Sequence, residues 1–453
     1  MCTACFYLKD PAVKNTRAPR FILLDSSLFA DSTLLMRSSV REAYRLTNYS
    51  LLWSDTAGFS KKADSLIAFI EKTNSLGLNP THYHASEILE HLLKRDSDQR
   101  LMAVDVFLTD AYLTLSHDLK NGRVDPSTLA YIDLSSRVDS AGIDFLLKEL
   151  PSGSLIGSLQ NGINDVGRMM MRDSLAKILR AGIRDSINEE TMNKLIVNIE
   201  RSHLKSPPSE RYIDVNIPGY YLRVIEGDSV FLESKVIVGK TTSPTPVLES
   251  VVTSFVIYPY WHVPRGIATR EILPQIQKDS LYLSAHNYEI LDIDGNVVDP
   301  ETVSWQNLNA NNFPYLLRQR EGRENALGII KFSFDNPYRV YLHDTNGPRL
   351  FSREFRALSH GCVRVQKARQ LAKYLVKEDS VYITPDDLDQ YLALQQRLKI
   401  KIPRPVQLYI RYATVEPVKG KLVFYKDIYG KDKELLARLS QSRLSRRKLS
   451  GLI

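Results

Sequence analysis

The residues of this chain best suited to covalent chemistry lie in two short segments, 341–345 and 359–365. Cys362 is a potential nucleophile, but a thiol reacts only after losing its proton, and its free pKa is about 8.5. A nearby imidazole can accept that proton and hold the thiolate as an ion pair. We favour His343 as this base, because it ends a strand-like segment and can face Cys362 from an adjacent strand. His360 lies only two residues from the thiol, where we expect a turn.

The residues next to Cys362 favour a reactive thiol over an inert one. Gly361 has no Cβ, so a ligand can approach the backbone closely at this position. The amides of Gly361 and Cys362 precede a helix predicted at 366–376. Amides near a helix N-terminus can stabilise the oxyanion of a tetrahedral intermediate.

Three other interpretations of the same residues remain open. Cys362 can be a buried, inert side chain beside a histidine at the end of a strand. It can be a zinc ligand together with His343 and His360, although no fourth ligand has a suitable spacing. It can also belong to a papain-like peptidase or a sortase-like transpeptidase. A papain-like peptidase has its cysteine before its histidine, and a sortase has a Thr-Leu-x-Thr-Cys motif. This sequence matches neither pattern.

Two kinds of periodicity divide the chain. Apolar residues recur at three- and four-residue steps through 38–205, which predicts an all-α domain. The Ser-Pro-Pro-Ser run at 206–209 marks a boundary, and alternation through 206–430 predicts a β-rich domain. A long irregular stretch, 264–327, interrupts its strands, and we expect an ordered lid there. Its predicted apolar anchors are Ile272, Leu281, Trp305 and Phe313.

The two ends of the chain are predicted to contribute little to either core. Residues 1–37 are predicted to be a poorly ordered leader, and 431–453 a basic tail that adds to a net charge of +8. No aromatic residues are interleaved with the arginines of this tail, so we predict no nucleic-acid binding. No stretch approaches the roughly 18 apolar residues of a membrane span, so we expect no membrane association of the mature chain.

The reactive segments resemble a known signature. His343 followed by Ser-His-Gly-Cys-Val-Arg, from Ser359 to Arg364, is similar in order and spacing to the signature of the L,D-transpeptidase catalytic domain. The likeness is to the large multidomain Gram-negative members, and the Asn-Gly-Arg-Val-Asp-Pro run at 121–126 resembles their helical scaffold domain. The resemblance covers most of 40–430. It implies a multidomain α+β chain, with an all-α scaffold domain before a β-rich catalytic domain that carries an inserted lid subdomain.

This resemblance implies an acyl transfer between peptidoglycan stem peptides, with no cofactor and no metal. Cys362 would attack the carbonyl between diaminopimelate and the terminal D-alanine of a tetrapeptide stem. The amine of a second stem would then resolve the thioester into a 3-3 cross-link, with His343 moving the protons. Carbapenems would trap the same thiol. The other predicted site residues are Gly361 and His360 for catalysis, and Arg364, Tyr341, Ser359 and Trp261 for substrate binding.

The implied substrate points to a location that the N-terminal residues do not show. Peptidoglycan lies outside the inner membrane, so we expect a periplasmic enzyme of cell-wall biogenesis and cell shape. Residues 1–31 lack the roughly 7–15 apolar residues of a signal peptide, so we expect the true gene start upstream. The alternative functions are L,D-carboxypeptidase or D-amino-acid exchange activity at the same site, or non-catalytic peptidoglycan binding. No oligomeric state is predicted.

Overall fold

The structure, a computed structural model, divides the chain into two compact units. One comprises residues 1–204, 415–423 and 432–453, and the other comprises 205–414 and 424–431. The residues described are 26–55, 58–93, 98–125, 134, 137–152, 155–161, 165–182, 186–203, 210–377 and 383–440. Among these, no helix combines the length and the apolar character needed to cross a membrane.

Helices dominate the first unit, as the periodicity predicts. Its elements before residue 204 are α1 (Arg37–Leu46), β1 (Ser54–Asp55), β2 (Gly58–Phe59), α2 (Lys61–Glu71), α3 (Ala85–Leu93), α4 (Asp98–Asn121), α5 (Ser140–Ser152), α6 (Leu155–Asn161), α7 (Val166–Ala181) and α8 (Ser186–Arg201). Helix α4 is central, because every residue from Ala103 to Leu115 is buried. The other helices bury one face, which gives them the amphipathic pattern seen in the sequence.

Two buried carboxylates organise the residues around α4. Asp105 accepts hydrogen bonds from the Tyr44 hydroxyl (2.6 Å), the backbone amides of residues 52 and 53, and the Ser54 hydroxyl. Asp110 accepts from the amides of Leu35 and Met36. These bonds tie residues 26–37 to the core, where Met36 is buried. This part of the predicted leader is therefore packed, and residues 1–25 lie outside the described residues.

A closed β-sheet forms the second unit. Its elements are β3 (Arg211–Asn216), β4 (Tyr221–Glu226), β5 (Ser229–Gly239), β6 (Leu248–Ile257), β7 (Trp261–His262), α9 (Arg265–Ile267), α10 (Leu273–Lys278), α11 (Tyr282–Ala285), β8 (Tyr288–Leu291), β9 (Val297–Val298), β10 (Leu316–Gln319), β11 (Ile330–Phe334), β12 (Leu342–His343), β13 (Ala357–Ser359), β14 (Val363–Val365), α12 (Ala368–Val376), α13 (Pro385–Ala393) and β15 (Leu398–Arg411). The strand order is β13-β5-β14-β12-β11-β6-β15-β3-β4, and β4 also pairs with β5. Eight strands thus close into a barrel around an apolar core.

The insertion predicted at 264–327 is an ordered subdomain. Strands β7, β10, β8 and β9 form its four-stranded sheet, and α9 to α11 pack beside it. Its core is separate from that of the barrel and contains the predicted anchors Ile272 and Phe313. Leu281, a third predicted anchor, is 69% exposed and does not serve as one. Trp305 packs at the edge of this core.

The chain leaves the second unit and returns to the first near its C-terminus. Strands β16 (Val415–Val418) and β17 (Lys421–Phe424) form a hairpin, and α14 (Lys431–Leu439) follows. Leu435 and Leu439 pack against Val124 and Val197 of the helical unit. The structure differs from the predicted tail because residues 432–440 pack with the helical unit, where the spacing of these leucines gives them an apolar face, and residues 415–423 also belong to that unit. Residues 441–453 lie outside the described residues.

The Asp105 network predicts a local loss of stability on substitution. Asp105→Ala leaves buried donors unpaired, and each such donor costs about 1–3 kcal/mol, so we expect the helical unit to lose about 3 kcal/mol or more. Hydrogen-exchange mass spectrometry of peptides from α4, with thermal unfolding, measures this. Asp173→Ala, which removes an exposed carboxylate on α7, is the matched control. Equal protection of α4 in the two variants would contradict the prediction.

Candidate active site

Strand register brings the predicted site residues onto one face of the sheet. Strand β12 pairs with β11 and β14, with His343 opposite Lys331 on one side and Arg364 on the other. Register partners share a face, and side chains alternate between faces, so these three side chains form a row. Tyr341 and Cys362 lie two residues earlier and point the same way. The opposite face carries residues of the barrel core, namely Phe332, Leu342 and Val363.

The loop before Cys362 is held by a closed set of hydrogen bonds. Gly361 has a φ of 115°, a conformation that favours glycine. Its carbonyl accepts from the Thr245 hydroxyl at 2.8 Å, and its amide donates to the Ser359 hydroxyl at 3.2 Å. That hydroxyl in turn donates to the Cys362 carbonyl. Ser359 is 2% exposed and its hydroxyl is used within the loop, and the substrate contact predicted for it stays a prediction. The Gly361 amide, predicted as an oxyanion donor, is also used inside the loop.

The Cys362 thiol is half-buried and lies among hydrogen-bond donors and positive charges. Burial raises the pKa of the thiol above its ordinary value. The amide and hydroxyl of Tyr341, and then the charges of Lys331 and Arg364, oppose this rise. The Trp261 side chain also bonds to the Tyr341 hydroxyl. Tyr341 and Trp261, predicted to bind substrate, therefore form a chain of contacts that ends at the thiol.

His343 is almost fully buried, with 4% of its surface exposed. Burial, and then the positive charge of Arg364, lower the pKa of its imidazole to about 3. Its Nδ1 has no hydrogen-bond partner within the described residues. The low pKa of the imidazole and the raised pKa of the thiol favour a neutral pair over the ion pair expected from the sequence.

His360 points away from the thiol, towards the insertion. Its Nε2 lies 2.7 Å from Oε1 of Glu271 and 3.2 Å from Nζ of Lys240. Its side chain is 37% exposed. His360 thus connects the loop to the insertion, and the catalytic role predicted for it stays a prediction.

Lys331 belongs to this site, although the sequence analysis does not single it out. Its Nζ lies 4.3 Å from the centre of the Tyr341 ring, and its charge acts on the thiol. Within the described residues neither Lys331 nor Arg364 forms an ion pair, and Nε of Arg364 is buried without an acceptor. The thiol thus faces two cations that no carboxylate neutralises. Across the same described ranges, no group of three or more His, Cys, Asp or Glu side chains could hold a metal.

Comparisons with known proteins identify the domains of this chain. Residues 210–383 match the L,D-transpeptidase catalytic domain, and residues 38–161 match the Scaffold domain. A Haemophilus influenzae protein, named provisionally as an L,D-transpeptidase, is 31% identical over 410 residues, which cover 89% of this chain and 80% of that protein. The crystal structure of L,D-transpeptidase 1 from Mycobacterium tuberculosis aligns over 45% of this chain and 61% of its own, at 12% identity. Its TM-score of 0.17 is too low to support an argument.

These matches define a chain that joins a helical scaffold to a thiol-bearing β-barrel domain. The chain belongs to the L,D-transpeptidase family. The resemblance drawn from the segment around Cys362, and the fold class that it implied, are both confirmed.

The charge of Lys331 should set the reactivity of the thiol towards iodoacetamide. We expect the alkylation rate of the parent to rise with pH above neutrality, because burial raises the thiol pKa. Lys331→Met should move this profile upward by about one pH unit, since a nearby positive charge favours the thiolate. Lys331→Arg should restore the profile. Lys399→Met, an exposed lysine on β15, is the matched control.

The two histidines are distinguished by the same measurement. With a neutral imidazole, His343→Ala should leave the alkylation profile nearly unchanged while it slows acylation by substrate at least about 100-fold, as loss of a general base does. His360→Ala should leave the profile of the thiol close to that of the parent. A parent profile shifted to acid pH that disappears in His343→Ala would establish an ion pair and contradict the neutral state.

Proposed function

We propose that this protein forms 3-3 cross-links between peptidoglycan stems by acyl transfer through a thioester on Cys362. In the first half, the sulfur bonds to the carbonyl carbon that precedes the terminal D-alanine of a tetrapeptide stem. The amide C–N bond breaks and D-alanine leaves. In the second half, the side-chain amine of diaminopimelate on another stem attacks the thioester, and the thiol is released.

His343 is suited to move the protons in both halves. Its neutral ring takes the thiol proton as the sulfur attacks and passes it to the departing amine of D-alanine. It later takes a proton from the attacking amine and returns one to the sulfur. Because burial lowers the pKa of this imidazole to about 3, the resting ring is a weak base, and it takes the thiol proton only as negative charge moves from the sulfur to the carbonyl oxygen. Its protonated form then gives the proton up readily to the departing amine.

The observation that carries the proposal is the pair of cations facing the thiol. The tetrahedral intermediate bears a negative oxygen, and a tetrapeptide stem brings carboxylates close to the scissile bond. Lys331 and Arg364 supply positive charge on the same face as Cys362, with no protein carboxylate in competition among the described residues. Charge arranged before the reaction stabilises a developing anion at little reorganisation cost.

The identity of the acceptor separates this function from its nearest alternatives. Water as the acceptor gives an L,D-carboxypeptidase, and a free D-amino acid gives exchange of the terminal residue. All three share the first half and the same thioester. The ordered insertion, which contacts the catalytic loop through Glu271 and His360, supports transfer to an amine because a covered thioester is less exposed to water. The substrate also supports a periplasmic location.

Product analysis with purified disaccharide-tetrapeptide tests the reaction. We expect release of D-alanine and a dimer joined by a 3-3 bond, both absent with Cys362→Ala. The kcat of His343→Ala should be lower than that of the parent by about 100-fold or more. Lys240→Met, at the exposed contact with His360, is a control that leaves the thiol and imidazole in place. Tripeptide without dimer would favour the carboxypeptidase, and a folded parent releasing no D-alanine would contradict all three activities.

Carbapenem treatment tests the thiol independently of the acceptor. We expect one covalent adduct on Cys362, visible by intact-protein mass spectrometry and absent from Cys362→Ala. A penicillin at the same concentration should give much less adduct. An unmodified parent whose thiol still reacts with iodoacetamide would count against the assignment.

A further inference from the structure

An arginine of the helical unit is buried without a hydrogen-bond partner among the described residues. Arg172 lies on α7 and is 4% exposed, and none of its three side-chain nitrogens has a hydrogen bond. Arg168, one helical turn earlier, has two buried nitrogens in the same condition. A buried guanidinium normally forms several hydrogen bonds, because a buried charge without them is strongly destabilising. The structure therefore contains an unusual concentration of unused donors.

The positions of the two arginines on α7 make their lack of hydrogen-bond partners more unusual. Residues 168, 172 and 175 recur at helical spacing and share one face. Leu175 on this face is fully buried and packs with α8, so Arg168 and Arg172 occupy positions where a leucine would be expected. Arg168 is half-buried, whereas Arg172 is buried.

The carboxylates nearest to these arginines are already used. Asp165 accepts from the backbone amide of Arg168 at 2.6 Å, where it caps α7. Glu200 accepts from Nε of Arg123 at 2.8 Å and from two backbone amides. Within the described residues neither carboxylate forms an ion pair with Arg168 or Arg172. Both carboxylates act on Arg172 through their charge, but the buried side-chain donors of Arg168 and Arg172 have no acceptor among the described residues, and these donors are available to an external anion.

We propose that Arg168 and Arg172 form a binding site for an oxyanion, either a carboxylate or a phosphate group, in the helical unit. Both groups match the fork of a guanidinium, which donates two parallel hydrogen bonds to a pair of oxygens. The site is separate from the thiol chemistry, since none of its residues belongs to the barrel. Burial, followed by the charge of Arg168, lowers the pKa of Arg172 to about 10, so the guanidinium stays charged at neutral pH.

The carboxylate can come from a peptidoglycan stem and the phosphate from a phosphorylated polymer or a free ion. The experiment separates these two sources. Thermal unfolding of the full chain is followed with inorganic phosphate, with disaccharide-tetrapeptide, and with sodium chloride at matched ionic strength. The parent carries Cys362→Ala so that the tetrapeptide is not consumed. Arg172→Met is compared with Arg180→Met, which removes an exposed arginine from the same helix.

We expect the unfolding midpoint of the parent to rise, to saturation, with phosphate or tetrapeptide and not with chloride. If phosphate is the ligand, Arg172→Met should lose the rise in midpoint with phosphate. If the tetrapeptide is the ligand, Arg172→Met should show a smaller rise with tetrapeptide. Arg180→Met should behave as the parent in both cases. Without any anion, Arg172→Met should unfold at the same or a higher temperature, because an uncompensated buried charge has been removed. The probe that gives the larger rise in the unfolding midpoint of the parent identifies the source of the anion.

Three outcomes overturn the proposal. The first is a parent that responds to neither probe at matched ionic strength. The second is an Arg172→Met variant that keeps the full response of the parent, since binding then occurs elsewhere. The third is an Arg172→Met variant that is less stable without any anion, since Arg172 is then a structural residue with internal partners. None depends on cross-linking activity, so a failure of this site leaves the proposed reaction standing.

Discussion

The parallel pairing of β12 with β14 is the constraint on which the rest of the site depends. It sets His343 opposite Arg364, and the amide of Val363 donates to the carbonyl of Tyr341 at 3.1 Å. Because side chains alternate along a strand, a slip of one residue would turn His343 into the barrel core and bring Leu342 to the thiol. The two strands are short, so the neighbouring strands β11 and β5 fix the register on both sides.

Burial is the second determinant of the site, and it acts oppositely on the two reacting groups. It raises the pKa of the Cys362 thiol and lowers that of the His343 imidazole, which favours the neutral form of both. Lys331 and Arg364 moderate the first shift and reinforce the second, because positive charge favours a thiolate and disfavours an imidazolium. A neutral pair avoids placing a charged thiolate in a poorly solvated position before substrate arrives. On the proposed function, charge develops only as the sulfur attacks, where the two cations can stabilise it.

The sequence is sufficient for the fold class and the family but not for the surroundings of Cys362 and His343. The periodicities separate helical from β-rich regions, and the motif around Cys362 identifies the family. Lys331 is not identifiable, because it lies between buried Ile330 and Phe332 and the alternation alone places it towards solvent. The neutral state of His343 depends on burial by strands distant in the chain. Leu435 packs in the helical unit. Its local spacing indicates an apolar face but does not show which of the two units buries that face.

The insertion contacts the catalytic segment in two places, which links its position to the reactivity of the thiol. Glu271 binds His360, next to the loop that carries Gly361, and Trp261 binds the Tyr341 hydroxyl that bonds to the sulfur. Displacement of the insertion would therefore alter both the loop and a donor to the thiol. On the proposed function, a thioester must persist until an amine arrives, although water is far more abundant. If the insertion covers the site and at the same time positions a hydrogen-bond donor to the sulfur, acylation is favoured in the covered state. Hydrolysis of the thioester is slowest in that same state.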